Sequence, residues 1–242
     1  MLEFLALASS SAGCSYIVTN GKSAPLLIDA GIRYKLIQQA LNFQVTRLAG
    51  CLVSHSHGDH CMAAKDLMRA GVDCFASQET WKALNISSHR AKSLEVQTPK
   101  LIGDWTVQAF DAIHDAPGTF GFVVASPCGG KLLYLTDSAY SRFRFAGLTH
   151  IAIECNFSKE IIRQNTRSGE ISGDRFSRTT QTHMSLDRLI DMLRANDLSE
   201  VEEITLLHLS DANSDEAEFK DAVQRATGKV VRIAPKTFRG AL

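Results

Sequence analysis

The 242-residue sequence has no excess of charge, no CxxC pair and no long apolar run. Its 26 basic residues equal its 26 acidic residues, so nucleic-acid binding would need a local basic patch rather than a general positive charge. The six cysteines are widely spaced, which argues against a disulfide framework and for a reducing compartment. No segment approaches the roughly 20 apolar residues that span a membrane. We therefore expect a cytoplasmic protein with no membrane partner.

Repeats, low-complexity stretches and linkers are also absent, and strand-like and helix-like stretches alternate along the chain. Strand runs mixed with helices at both ends of the chain indicate an α/β protein in which two sheets are faced by helices. We predict a single domain over residues 1–242. The polar and poorly periodic stretch at 164–182 predicts an inserted loop or lobe within that domain.

Histidine, in contrast, is concentrated at one point: SHSHGDH at 54–60 holds three of the eight histidines and an aspartate. Residues two apart point away from each other on a helix, so this pattern is not a regular helix face. In a turn that contains Gly58 and follows the apolar strand at 51–54, the side chains can converge on one point. Convergent imidazoles and a carboxylate suit a divalent cation. The alternative is a solvated histidine-rich turn.

Three further candidate ligands, His114, Asp137 and His208, follow strand-like stretches. A strand end is a position where a rigid backbone aims a side chain. Each residue has a structural alternative when taken singly, because the two histidines could be buried core residues and Asp137 could cap a helix. Their order after the histidine cluster favours a metal site.

The motif HSHGDH together with His114, Asp137 and His208 resembles the successive motifs of the metallo-β-lactamase superfamily. The resemblance covers nearly the whole chain and implies an α/β fold built as a four-layer αββα sandwich. The stretches ASSSAGCSYIV, LLIDAG, THMS and HLSDAN resemble the YycJ (WalJ) branch of that superfamily. Proteins of this branch are implicated as metal-dependent DNA exonucleases.

The resemblance also implies two divalent ions, which could be zinc or manganese, with iron also possible. Such ions share a hydroxide and clamp the attacking and leaving oxygens. The implied ligands are His55, His57 and His114 for one ion and Asp59, His60 and His208 for the other, with Asp137 bridging both. Asp29 would orient a ligand histidine from behind, and Asp59 is counted among the catalytic residues as well as the ligands.

Glu154 and His183 form a second candidate pair, because each resembles a residue that tRNA-processing relatives place against the leaving oxygen of a phosphodiester. A protonated histidine beside a carboxylate can bind the phosphate and protonate that oxygen. The structural alternatives are a buried ion pair for Glu154 and a helix-cap contact for His183.

Arginines are frequent between these two residues, and their guanidinium groups suit phosphate oxygens. The candidate substrate-binding arginines are Arg163, Arg167, Arg175 and Arg178, although such a run could also be a solvated face. We predict a metal-dependent phosphodiesterase or nuclease that acts on DNA in the manner of an exonuclease, through a hydroxide bound to two metals. The alternatives are a small-molecule hydrolase (a cyclic phosphodiesterase, lactonase or thioesterase) and a non-catalytic binding module. The sequence specifies no oligomeric state.

Overall fold

The computed structural model describes residues 1–238, which divide into two compact units. The first unit consists of 1–111, 116–131 and, within the described residues, 235–238. The second consists of Ala112–Asp115 and Leu132–Ala234. The single domain over 1–242 stays a prediction, and its last four residues lie outside the described part of the chain. Within residues 1–238, no helix is both long enough and apolar enough to cross a membrane.

Six strands of the first unit form one mixed sheet in chain order. They are β1 (Glu3–Ser10), β2 (Gly13–Thr19), β3 (Leu26–Ala30), β4 (Gly50–Leu52), β5 (Cys74–Ala76) and β6 (Ala91–Ser93). The first three strands pair antiparallel, and β3 to β6 pair parallel. Every residue of β3, β4 and β5 is buried, which explains their continuous, mostly apolar sequences.

Short helices cover the core of this sheet. They are α1 (Tyr34–Ala40), α2 (Gly58–Cys61), α3 (Ala64–Arg69) and α4 (Gln78–Ala83), with a 3-10 turn at Val45–Arg47. Ile37, Leu67 and Trp81 carry the buried contacts of α1, α3 and α4 with the sheet residues. The first unit also contains the antiparallel strands β7 (Lys100–Ile102), β8 (Trp105–Asp111) and β9 (Phe120–Ala125).

The second unit is built on four parallel strands that neighbour one another in chain order. They are β10 (Lys131–Leu135), β11 (His150–Glu154), β12 (Glu203–Leu207) and β13 (Val230–Ile233). Its helices are α5 (Lys159–Arg167), α6 (Gly173–Thr182), α7 (Leu186–Arg194) and α8 (Glu216–Thr227). Since parallel strands run the same way, their carboxyl ends meet at one edge, and residues that follow them become neighbours.

The stretch 164–182 is largely helical, so its prediction as a loop is wrong, whereas an inserted lobe stays a prediction. It comprises the end of α5, a connection at 168–172 and the whole of α6. Ser158 and Ser172 cap the two helices by accepting backbone N–H bonds, which is a strong local start signal. The apolar residues of the stretch are few, but Ile171 and Phe176 pack in a small cluster of their own. That sparse apolar face is why the helical period was not visible in the sequence.

Candidate metal and acid–base site

The histidine cluster lies in the first unit, between β4 and α2. His57 is the residue before α2, and Asp59 and His60 lie within that single helical turn. His55 and His60 are fully buried, whereas His57 and Asp59 are partly exposed. His55 Nε2 and His57 Nδ1 are 3.1 Å apart. That distance is close to the roughly 3.4 Å between two nitrogens on a tetrahedral zinc with Zn–N bonds of about 2.1 Å.

Asp29 orients this cluster from a fully buried position at the end of β3. Its Oδ1 accepts the backbone N–H of Ser54 at 2.7 Å, and its Oδ2 accepts the Ser54 hydroxyl at 2.9 Å. The same Oδ2 lies 2.7 Å from Nδ1 of His60. When Nδ1–H is donated to a carboxylate, the ring's lone pair lies on Nε2, which is the arrangement typical of metal-binding histidines.

Gly31 allows α2 to approach β3. A Cβ atom at Gly31 would lie 1.6 Å from the carbonyl oxygen of Asp59, so no side chain fits there without moving the helical turn. Asp29 itself has φ 55°, a left-handed conformation that aspartate tolerates better than most residues. The backbone around the histidine cluster therefore includes a close helix–strand contact at Gly31 and a strained residue at Asp29.

The second unit brings together the other predicted side chains at the carboxyl ends of β10, β11 and β12. Asp137 follows β10, Glu154 is the last residue of β11, and His208 directly follows β12. Asp137 and His208 have φ 45° and 52°, and such left-handed backbone in non-glycine residues clusters at functional sites. No helix begins at Asp137, which excludes the helix-cap alternative.

His183 joins this group from the end of α6. Its Nδ1 lies 2.6 Å from Oε1 of Glu154, and the other oxygen of Glu154 accepts backbone N–H groups of Ser138 and Met184. Ligand atoms of Asp137, Glu154, His183 and His208 lie within 4.8 Å of one another. A helix-cap contact does not by itself account for His183, because its side chain also binds a fully buried carboxylate.

The pKa values of this pair move in opposite directions. Burial by itself would lower the pKa of His183, but the charge of Glu154 and their hydrogen bond outweigh it and raise that pKa above its usual value. Burial would raise the pKa of Glu154, yet the charge and hydrogen bond of His183 bring that pKa below its usual value. The pair therefore favours imidazolium beside carboxylate.

His114 is also held by its Nδ1, which lies 3.1 Å from the backbone oxygen of Thr182. Its Nε2 lies 3.2 Å from Asp115 and 3.6 Å from Asp137. Asp115 accepts a hydrogen bond from Nε of Arg178 at 2.9 Å. Two residues of α6 thus connect that helix to a predicted ligand.

Asn156 is a site residue that the sequence analysis did not single out. Its side-chain amide donates to the backbone oxygen of His208 at 2.8 Å and lies 3.3 Å from Nδ1 of the same histidine. The signal in the sequence was a polar residue two positions after Glu154 in the mostly apolar stretch IAIECNF.

The four predicted substrate-binding arginines are exposed on α5 and α6. Of these, Arg178 is engaged with Asp115 at 2.9 Å, so its guanidinium already has a carboxylate partner. In both units, histidines whose ring nitrogens contact carboxylate or carbonyl oxygens lie beside aspartates. These histidines and aspartates could hold divalent metal ions.

An α/β architecture with histidine and aspartate clusters that could hold metal ions is typical of metal-dependent hydrolases. The chain matches the model of the beta-lactamase superfamily domain over residues 25–209. It therefore belongs to the metallo-β-lactamase superfamily, and the predicted α/β metallo-β-lactamase fold is confirmed.

Similar proteins agree with this family. The exodeoxyribonuclease WalJ of Streptococcus pneumoniae serotype 2 is 31% identical over 181 residues, covering 68% of this chain. The match covers 66% of WalJ, just under two thirds of its length. Among solved structures, the metallo-β-lactamase fold protein YhfI from Bacillus subtilis aligns with a TM-score of 0.73 and 16% identity over 98% of both chains. A diphosphatase from the PhnP family aligns with a TM-score of 0.64 and 16% identity, over 99% of this chain and 96% of its own.

Proposed function

We propose that this protein is a metal-dependent phosphodiesterase that acts on DNA as an exonuclease. The observation that carries the proposal is the Glu154–His183 pair, with its 2.6 Å contact, beside Asp137 and His208. A carboxylate that holds a protonated imidazole is suited to protonating a poor leaving group such as a sugar oxygen. Esters with good leaving groups have much less need of such an acid.

Two divalent ions are part of the proposal, and zinc, manganese or iron would suit the nitrogen and oxygen donors. The proposed ligands are His55, His57 and His114 for one ion and Asp59, His60 and His208 for the other, with Asp137 shared. The contacts of Nδ1 in His60 with Asp29 and in His114 with Thr182 support this set, because an Nδ1–H donated there puts the lone pair of each ring on Nε2. Bound ions would lower the pKa of a water molecule and neutralise charge on the phosphate.

Residues of this chain would then have separate roles in the reaction. Asp29 fixes the tautomer of His60, and Asn156 supports the backbone at His208. Asp59 would bind a metal ion and would also accept a hydrogen bond from the attacking water. His183 would hold a proton at Nε2 and pass it to the leaving oxygen, and Glu154 would keep His183 oriented and charged. A single domain over residues 1–242 is part of the same proposal.

The substrate class rests on the similarity to WalJ, whose name describes an exodeoxyribonuclease. Arg163, Arg167 and Arg175 on α5 and α6 would bind the DNA backbone. A cytoplasmic location is part of the same proposal, since the six cysteines carry free thiols, as expected in a reducing compartment.

The experiment is a comparison of three substrates with each of several divalent metals. End-labelled linear DNA should be degraded from an end, closed circular DNA should resist, and a chromogenic phosphodiester should be cleaved slowly. Equal cleavage of the circle would indicate an endonuclease and contradict the exonuclease proposal. Cleavage of the small diester with no action on DNA would instead favour a small-molecule phosphodiesterase.

A further inference from the structure

A pocket of about 180 Å³ lies among α5, α6 and α7, in the second unit, and no role is yet assigned to it. Its floor is apolar, because Phe157 and Ile162 line it and are buried. Phe176 forms part of the wall and is only half-buried, so an aromatic surface remains accessible. An accessible aromatic ring over an apolar floor suits a flat, partly apolar group.

Three basic side chains line the same pocket: Lys159, Arg163 and Arg188. Arg188 is held in place, because its Nη1 donates to the backbone oxygen of Thr180 at 2.9 Å. Lys159 is paired with the exposed Asp187 at 3.4 Å. Arg163 is exposed and makes no ion pair within the described part of the chain. The lining thus carries positive charge and contains no carboxylate, which suits a phosphate.

The pocket is connected to the proposed acid through a short stretch of chain. Thr180 lies three residues before His183, and Ser185, two residues after it, caps the helix that carries Arg188. Phe157 of the pocket floor forms a β-bridge with the same Ser185. A nucleotide whose leaving oxygen accepts a proton from His183 would therefore extend toward α6 and α7.

We infer that this pocket binds the nucleotide on the leaving side of the scissile bond, with its base against Phe176 and its next phosphate at Arg163 and Arg188. The inference rests on the proposed nuclease function and names the part of the substrate that the pocket recognises. Base–aromatic stacking tolerates any sequence, because every base has a flat face. The pocket would thus strengthen binding of DNA without reading its sequence.

The first experiment compares two substrates that differ on the leaving side alone. A single-stranded oligonucleotide has a nucleotide there, whereas thymidine 5′-nitrophenyl phosphate has its nucleoside on the other side and nitrophenolate as the leaving group. Phe176→Leu keeps an apolar side chain but removes the stacking ring, and Arg163→Gln removes one cation. Each should raise KM for the oligonucleotide about 10-fold, in line with losses from removing one stacking or phosphate contact. Neither should change KM for the nitrophenyl substrate.

Matched controls separate the pocket from general charge and exposure. Arg194→Gln removes an equally charged, exposed residue of α7, outside the pocket lining, and Phe43→Leu removes an exposed ring in the first unit. Both should leave KM for the oligonucleotide near the wild-type value. For Arg163→Gln alone, the slope of log affinity against log salt should fall by about 0.7, the value of one phosphate contact on a single strand.

A second readout does not depend on turnover. An oligonucleotide with 5-iodouracil near its end should photocrosslink to a peptide that contains Phe176, and Arg163→Gln should reduce the yield where Arg194→Gln does not. Wild-type oligonucleotide kinetics in both pocket variants, or equal losses on both substrates, would overturn the pocket assignment while leaving the nuclease proposal intact. If wild-type protein cleaves no DNA, the nuclease proposal fails, and absence of the crosslink would then overturn the pocket assignment as well.

Discussion

Replacing Asp29 with asparagine should weaken metal binding by changing which nitrogen of His60 carries the proton. The carboxylate accepts from the Ser54 N–H, the Ser54 hydroxyl and Nδ1 of His60 at 2.7–2.9 Å. Asparagine keeps one acceptor oxygen. When that oxygen binds the Ser54 N–H, its amide N–H₂ group faces Nδ1 of His60, so His60 would move its proton to Nε2. A protonated Nε2 has no lone pair for a metal.

The expected size of the effect follows from what such supporting partners contribute. Their loss typically costs 10–100-fold in metal affinity, which is about 1.4–2.7 kcal/mol. Asparagine tolerates the left-handed backbone at this position, where φ is 55°, so the chain should still fold. Alanine would lose all the acceptors and add backbone strain, which makes it a poorer test.

The assay is competition for zinc against a chromophoric chelator, with circular dichroism at the same temperature to confirm folding. Asp73→Asn is the matched control, because Asp73 pairs with Arg90 at 2.9 Å near the surface and its loss removes the same charge. The control should keep wild-type affinity. A folded Asp29→Asn protein with unchanged zinc affinity would refute the tautomer argument.

Three other perturbations test separate parts of the structure. Gly31→Ala should disrupt the turn of α2 and reduce metal content, because its Cβ would lie 1.6 Å from the oxygen of Asp59; a metal count equal to wild type would contradict this contact. In the native protein Cys128 should be the one cysteine that reacts rapidly with Ellman's reagent, because it is the exposed one of six, and Cys128→Ser should remove that fast phase. Burial lowers the pKa of half-buried His150 despite two neighbouring glutamates, so the unfolded chain binds its proton more tightly. The free energy of unfolding should therefore fall as pH drops below about 6.5, and His150→Gln should make urea midpoints between pH 7 and 5 less pH-dependent.

Many candidate site residues could be found from the sequence, because ligand-type side chains lie close together in the chain or next to apolar runs. HSHGDH places four ligand-type side chains in six residues, and Asp137, Glu154 and His208 follow apolar runs that are central strands. In the second unit the carboxyl ends of parallel strands meet at one edge, so Asp137 and Glu154 both contact Nδ1 of His208, at 3.4 and 3.3 Å. The roles of these three residues stay a prediction.

Other features depend on contacts between distant residues. The pairing of Arg178 with Asp115 joins residues 63 positions apart, and nothing near either residue indicates it. The helices at 164–182 bury few apolar residues, so their period was too weak to predict. The left-handed backbone at Asp29, Asp137 and His208 could not be inferred either, because such strain is imposed by surrounding packing rather than by residue type.

The most direct test of the account is the leaving-group dependence of the His183→Ala variant. If His183 protonates the leaving oxygen, its loss should lower kcat on an oligonucleotide by about 10²–10⁴-fold while metal content stays at the wild-type value. On thymidine 5′-nitrophenyl phosphate the loss should be far smaller, because nitrophenolate leaves without a proton. Glu154→Gln should follow the same pattern, and the double variant should be little worse than either single one, since the pair acts as a unit. Equal losses on the two substrates, or undiminished activity on DNA, would contradict the proposed phosphodiesterase mechanism.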